Sequence, residues 1–276
     1  MAVVEAPPRS AFAMSRRARG RVVAIGSSVA LFVVLMLAWQ FGLRAFNIPT
    51  YLVPVPTKVL ERLVQGFNGG TFMMHSAVTL QEIVVGWVVG SALGILLGIL
   101  IAQYSFIDTM LYPYVVALNA LPKVAVAPLL VVWFGQGFVS KIIVTALVAF
   151  FPLLVNVTVG LKSSDPEQLE LMRSLTASRW QTFTKVQILN ALPNIFAGLE
   201  IAIVLAVVGA IVAEFVGSEE GIGYYIQLSI ALVDPAGMFA MFVILAVISW
   251  LLNQLVRQVA RRVVFWQRQN VIVESA

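Results

Sequence analysis

What most constrains this chain is a series of apolar runs long enough to cross a lipid bilayer. A helix needs about 20 predominantly apolar residues to span the hydrocarbon. Six segments meet or approach that length: 22–43, 77–102, 110–134, 142–161, 195–216 and 238–256. Backbone polar groups inside lipid must be satisfied within the chain, so such runs fold as helices. The expected fold class is all-α, a polytopic membrane protein with six transmembrane helices. Composition agrees: 60% of the 276 residues are hydrophobic and 11% are charged. That is about half the charged fraction of a soluble domain.

The same composition removes whole chemistries. Cys is absent and His occurs once, at His75, which excludes disulfides, zinc sites and Cys/His catalytic pairs. The carboxylates are not clustered, and no Gly-Lys-Ser/Thr phosphate loop occurs. A membrane enzyme is therefore disfavoured. The net charge of +5 reads as Lys and Arg retained on the cytoplasmic side of a membrane, not as a nucleic-acid surface.

The first run follows SRRARGR. It is too long for a signal-peptide core and has no small-residue cleavage site behind it, so it reads as a retained span. With the N-terminus inside, Lys and Arg can be assigned to alternating sides. Thirteen fall inside, in three clusters: Arg9 to Arg21, Lys162 to Lys185, and Arg257 to Arg268. Four fall outside: Arg44, Lys58, Arg62 and Lys141. This bias predicts both termini in the cytoplasm. The chain divides into a tail 1–21, a span 22–43, an external loop 44–76, a five-span core 77–256 and a tail 257–276. A cytoplasmic loop at 162–193 interrupts the core.

Two spans carry unusual patterns. In the second, Gly86, Gly90, Gly94 and Gly98 recur every four residues and make one smooth face for close helix approach. The third contains Pro113, Pro122 and Pro128, so it cannot be one regular helix. It reads either as the lining of a passage or as an interfacial helix followed by a kinked span. Two short amphipathic stretches lie outside the spans. One starts at Pro56; the other lies within GSEEGIGYYIQLSIALVDPAG.

The stretch DPEQLELMRSLTASRWQTFTK, 165–185, is a polar island between spans. Asp165 and Pro166 form a helix start, and Gln168 stands at capping-box spacing. Glu167 and Glu170 sit where the helix dipole favours acids. Leu169, Met172 and Thr176 share a face. Ser178 and Gln181 repeat the capping-box spacing, so a second helix is expected after a turn at 176–177, with Pro193 marking entry to the next span. A connection this long with two good helix starts suits docking into a groove of another protein.

This block resembles the EAA loop of ABC transporter permeases, the binding-protein-dependent inner-membrane components. The family pattern is Glu-Ala-Ala, three residues, Gly, nine residues, then Ile-x-Leu-Pro. Glu170 matches the Glu. Leu171 and Met172 stand at the Ala positions, Thr176 at the Gly, and Val186, Ile188 and Leu189 at the Ile, Leu and Pro. The flanks ALNALPKVAVAPLLVVWFGQG, FFPLLVNVTVGLKSSDPE, ALPNIFAGL and AEFVGSEEGIGYYI are similar to the subgroup importing nitrate, sulfonates and taurine. Other members carry thiamine precursors or riboflavin. The likeness runs from about Pro49 to Arg262.

The resemblance implies a permease subunit in a bacterial inner membrane that works by ATP-driven alternating access. Its implied partners are an ATP-binding subunit dimer, a second permease chain (identical or paralogous) and an extracytoplasmic solute-binding protein. ATP and Mg would be bound by the partner, with no cofactor in this chain. The family's coupling helix, carried onto 165–175, would contact the ATPase through Asp165, Leu169, Glu170, Met172 and Arg173, with Thr176 at its end. Glu170 and Arg173 would anchor it, and Leu169 and Met172 would pack. Thr is β-branched where Gly would allow positive φ, so the turn either keeps ordinary dihedrals or is strained.

Lys123, Glu200 and Glu214 lie within or near the ends of spans, where ionisable groups face protein or water. They are candidates for a pathway or gate. The other reading is a buried pair fixing helix register, with Lys123 joined to Glu200 or Glu214 and depth favouring Glu200. The alternative function, an ATP-independent transporter or channel, needs a pathway within one chain, and no inverted repeat is visible.

Overall fold

Four glycines set the architecture of the computed structural model, which describes residues 11–268. The expected tail residues 1–10 and 269–276 lie outside the described residues. Helix α3, Thr71–Gln103, lays its glycine face on α6, Phe138–Lys162. A Cβ at Gly86 would strike Thr145; at Gly90, the Ala146 carbonyl; at Gly94, the Phe150 carbonyl; at Gly98, Val157. The two backbones thus approach until only hydrogen fits between them. In lipid the hydrophobic effect gives helices no drive to associate, and this close contact supplies dispersion energy instead.

An adjoining side of α6 meets α9, Ile188–Gly217, by the same device. Gly198 and Gly209 of α9 pack on Leu153 and Thr145, and Gly160 of α6 packs on Ala191. Helix α6 is therefore the central rod, and Ala149, Leu153, Val157, Ile203 and Ala206 form the buried centre.

The elements flanking this trio follow in chain order. Helix α1, Ala11–Ala45, lies outside the bundle. It is tied by Gln40 to Thr57 at 3.2 Å and by Trp39 against Phe239. Helix α2, Pro56–Asn68, is the expected short helix. It is not a free surface element: Val59 is buried, and Arg62 reaches Asp234 at 2.9 Å. Helices α4, Ser105–Ala120, and α5, Lys123–Phe134, meet at 95° across Leu121 and Pro122. The third span is thus broken at Pro122, while Pro113 and Pro128 lie within helices. Helix α10, Ile222–Ala231, caps the bundle, and α11, Pro235–Val263, closes it. With the bent pair taken as one, six apolar segments are long enough to cross a membrane, and the described residues contain no strand.

The polar island forms α7, Pro166–Ser174, and α8, Arg179–Thr182. The structure corrects its expected exit. Pro193 does not begin a new helix. Helix α8 runs through a π-helical turn, Phe183–Gln187, straight into α9. Arg179–Gly217 is one helical rod of 39 residues. Pro193 removes one backbone hydrogen bond, but Gly160 seats α6 against Ala191 and Asn194 at that turn. The packing there holds the rod together.

Candidate functional site

The structure presents two polar constellations at opposite ends of α9. The first is the handle made by α7 and α8. Asp165 caps α7 by accepting from Glu167 N–H at 3.0 Å. Gln168 does not complete the capping box; its Oε1 accepts from Asn190 Nδ2 at 2.7 Å, tying α7 to α9. The second capping box is present in full, with Ser178 and Gln181 exchanging bonds at 2.8 and 3.2 Å.

Helix α7 ends in a Schellman turn: Thr176 N–H bonds Arg173 O, and Ala177 N–H bonds Met172 O. Thr176 sits at φ +54°, so the strained alternative applies. A β-branched residue occupies the left-handed conformation that glycine adopts freely.

The apolar residues of α7 divide between two faces that differ in burial. Leu169 and Met172 are half-buried toward their own chain. Leu169 and Arg173 help line a cleft of about 700 Å³ between the handle and the bundle. Asp108 and Lys162, paired at 2.7 Å, form the far wall. The apolar groups turned outward are Leu171 and Leu175, one helical turn apart, with Trp180 on α8; these are 58%, 65% and 71% exposed. Glu170 is also exposed. The sequence showed apolar residues on two faces of a short helix. Which face met the chain's own body depended on where α3, α4 and α6 end.

The second constellation lies where α3, α6, α9 and α10 meet. The first backbone N–H groups of α10 have no partners within their own helix; other elements supply them. Gly221 N–H donates to His75 Nδ1 at 3.1 Å, Ile222 N–H to Thr79 Oγ1 at 2.7 Å, and Gly223 N–H to Glu214 Oε2. Thr79 Oγ1 in turn donates to Glu214 Oε1 at 2.6 Å. A carboxylate here also complements the positive end of the α10 dipole. Gly221, at φ +107°, has no room for a Cβ beside the Glu214 carboxylate.

Behind Glu214 lies Glu82, fully buried and in contact with it. Lys141 Nζ stands 3.2 Å from Glu82 Oε1, an ion pair in which neither Glu82 oxygen receives a well-directed hydrogen bond. Lys141 also donates to Ser218 Oγ at 2.6 Å. Sequence reasoning missed this pair. Glu82 was visible as an acid within an apolar run, but its partner is far away in sequence. Lys141 looked like a loop residue because α6 starts a turn earlier than expected.

The three ionisable residues named from sequence do not come together. Glu200 pairs with Arg257 of α11 at 3.0 Å. Glu214 belongs to the α10 cluster. Lys123 meets neither: its ammonium bonds Asn119 O at 3.0 Å and Oδ1 at 2.9 Å. The expected pairing with Glu200 fails because the bend at Pro122 places Lys123 at the start of α5, beside α6. The four glycines of α3 are buried, each where an added Cβ would strike α6.

Comparison with known proteins fits these features. Residues 94–265 match the family described as binding-protein-dependent transport system inner membrane component. The chain is 34% identical to the formylaminopyrimidine transport permease of Halalkalibacterium halodurans, over 87% of this chain and 95% of that one. It is 34% identical to the riboflavin transport system permease of Chloroflexus aurantiacus, over 88% and 91%. It is 29% identical to the taurine transport system permease of Escherichia coli, over 87% and 89%. Among solved structures, the MetNI methionine ABC transporter in an inward-facing conformation matches with a TM-score of 0.59 at 20% identity, covering 67% of this chain and 93% of that one. An amino acid ABC transporter matches with a TM-score of 0.57 at 17% identity, covering 73% and 96%.

Proposed function

The chain belongs to the binding-protein-dependent transport system inner-membrane components, and from that premise we propose that its handle is the seat of a separate ATP-hydrolysing subunit. The chain is a multi-pass permease subunit of an ABC importer. The observation that carries the proposal is the rod Arg179–Gly217. One end carries Trp180 and holds α7, with Leu171 and Leu175, through the turn at 175–178 and the Asn190–Gln168 bond; the other carries Glu214 and the cap on α10. A partner that grips α7 and α8 therefore moves a single stiff element through the full depth of the bundle.

In this reading Leu171, Leu175 and Trp180 enter a groove of the ATPase, as an amphipathic helix enters an apolar groove. Asp165 and Glu170 sit at the rim of that contact. Leu169, Met172 and Arg173 transmit the force inward, to the cleft wall and to α9. The ATPase binds ATP and Mg and works as a dimer beneath two permease chains, identical or paralogous. A solute-binding protein delivers a small solute from outside; nitrate, a sulfonate, taurine or a vitamin precursor are the classes that the relatives suggest. The handle faces the cytoplasm, and both termini lie on the same side, in accord with the Lys and Arg bias. Glu200 and Glu214 tie helices together, which leaves Lys123 as the pathway candidate.

Reconstitution into vesicles tests the proposal. Uptake is expected to require an ATPase subunit inside and a binding protein outside. Uptake by this chain alone would instead favour an ATP-independent transporter or channel.

A further inference from the structure

We propose that the cavity beside Lys123 is a station for a small organic anion on the translocation path. This rests on reading the chain as a permease and adds the charge class of what passes. The cavity has a volume of about 280 Å³ at the junction of the bent pair with α6 and α9. Its walls are aliphatic, with Val148, Pro152, Leu205 and Val208 among them; Lys123 and Asn119 supply the polar groups.

The state of Lys123 carries the inference. Glu82, Lys141, Glu200 and Glu214 each meet a charged or hydrogen-bonding partner on another helix. Lys123 has no carboxylate within ion-pair range among the described residues. Its ammonium spends two of three protons on Asn119, one turn before it, and lies 4.9 Å from the centre of the Phe151 ring. A cation at membrane depth without a counter-charge is costly unless water or a ligand serves it. An aliphatic cavity with one cation and one amide matches a short apolar body carrying one anionic group. Lys123 also opens α5, so the positive end of that helix dipole adds to the same side. One wall belongs to α9, the rod that the handle moves, so occupancy and handle position are linked.

The absence of cysteine makes a direct test available. A single Cys is placed at Val148 or, independently, at the more exposed Val208, in the full chain in native membranes. Modification rates are measured with a sulfonate-bearing and a trimethylammonium-bearing methanethiosulfonate, each normalised to its rate with a free thiol. The sulfonate reagent is expected to be favoured on the order of tenfold, the effect of one near charge in a partly hydrated cavity. Lys123→Gln is expected to remove that preference and Lys123→Arg to keep it. Equal normalised rates, a preference that survives Lys123→Gln, or no reaction at either position would overturn the proposal. The permease reading would stand in those cases if uptake still required the ATPase.

Discussion

The two ends of α9 solve opposite problems. At the α10 end, polar groups are buried and matched: His75, Thr79 and Glu214 each accept a backbone N–H, and Lys141 answers Glu82. At the handle end, acids, bases and three large apolar groups lie open, and α7 touches its own chain through half-buried Leu169 and Met172. The lesson is a division of labour along one rod. The buried end spends its polar residues on holding helices together. The exposed end leaves Leu171, Leu175 and Trp180 uncovered, the surface proposed above for the ATPase. Substitutions should therefore separate: those at the α10 end cost stability, and those on the outer handle face cost coupling alone.

The largest effect is expected from breaking the buried ion pair. Lys141→Met leaves Glu82 without its cation and should destabilise the protein by about 3–5 kcal/mol, read as a fall in thermal stability in detergent. The double change Lys141→Met, Glu82→Gln should recover much of that loss, because a neutral pair replaces a lone buried charge. Equal losses in single and double variants would show that the pair does not act as a unit.

A smaller loss, about 1–3 kcal/mol from overpacking, is expected for Gly90→Val, where the new side chain meets the Ala146 carbonyl. The same assay reads it. No loss would mean that α3 and α6 separate easily.

At the hinge of the handle the sign reverses. Thr176→Gly relieves a left-handed β-branched residue and should stabilise by about 1 kcal/mol, with uptake kept or raised. Thr176→Pro cannot adopt φ +54° and loses the bond to Arg173 O; uptake should fall. Intact ATP-driven uptake with Pro at 176 would remove this turn from the coupling route.

The smallest stability effect, within about 0.5 kcal/mol, is expected for Leu171→Asp with Leu175→Asp on the outer face of α7. A large loss there would erase the distinction between the two ends.

What was legible in the sequence follows the range of the interaction that each signal reports. The apolar runs, the glycine stripe and the caps at Asp165 and Ser178 are local patterns, and the helices follow them. The break near Pro122 was legible for the same reason. Long-range pairings were not. Depth along the spans suggested Glu200 as the partner of Lys123, but a 95° bend carries Lys123 to Phe151 and gives Glu200 to Arg257. Lys141 became a buried partner once α6 gained a turn at its start. The inward and outward faces of α7 were indistinguishable because both carry apolar residues; only the positions of α3, α4 and α6 decide between them. Pro193 looked like a boundary because one residue's preference was weighed without the packing of Gly160 around it.

The most direct test of the central claim uses the double variant Leu171→Asp, Leu175→Asp in vesicles with the ATPase and binding protein present. ATP hydrolysis and solute uptake are measured together. A correctly folded permease is expected, with uptake per ATP hydrolysed reduced at least about tenfold, the loss expected when two apolar anchors leave a partner's groove. Unchanged uptake per ATP would contradict it, because the outward face of α7 would then have no part in linking hydrolysis to transport.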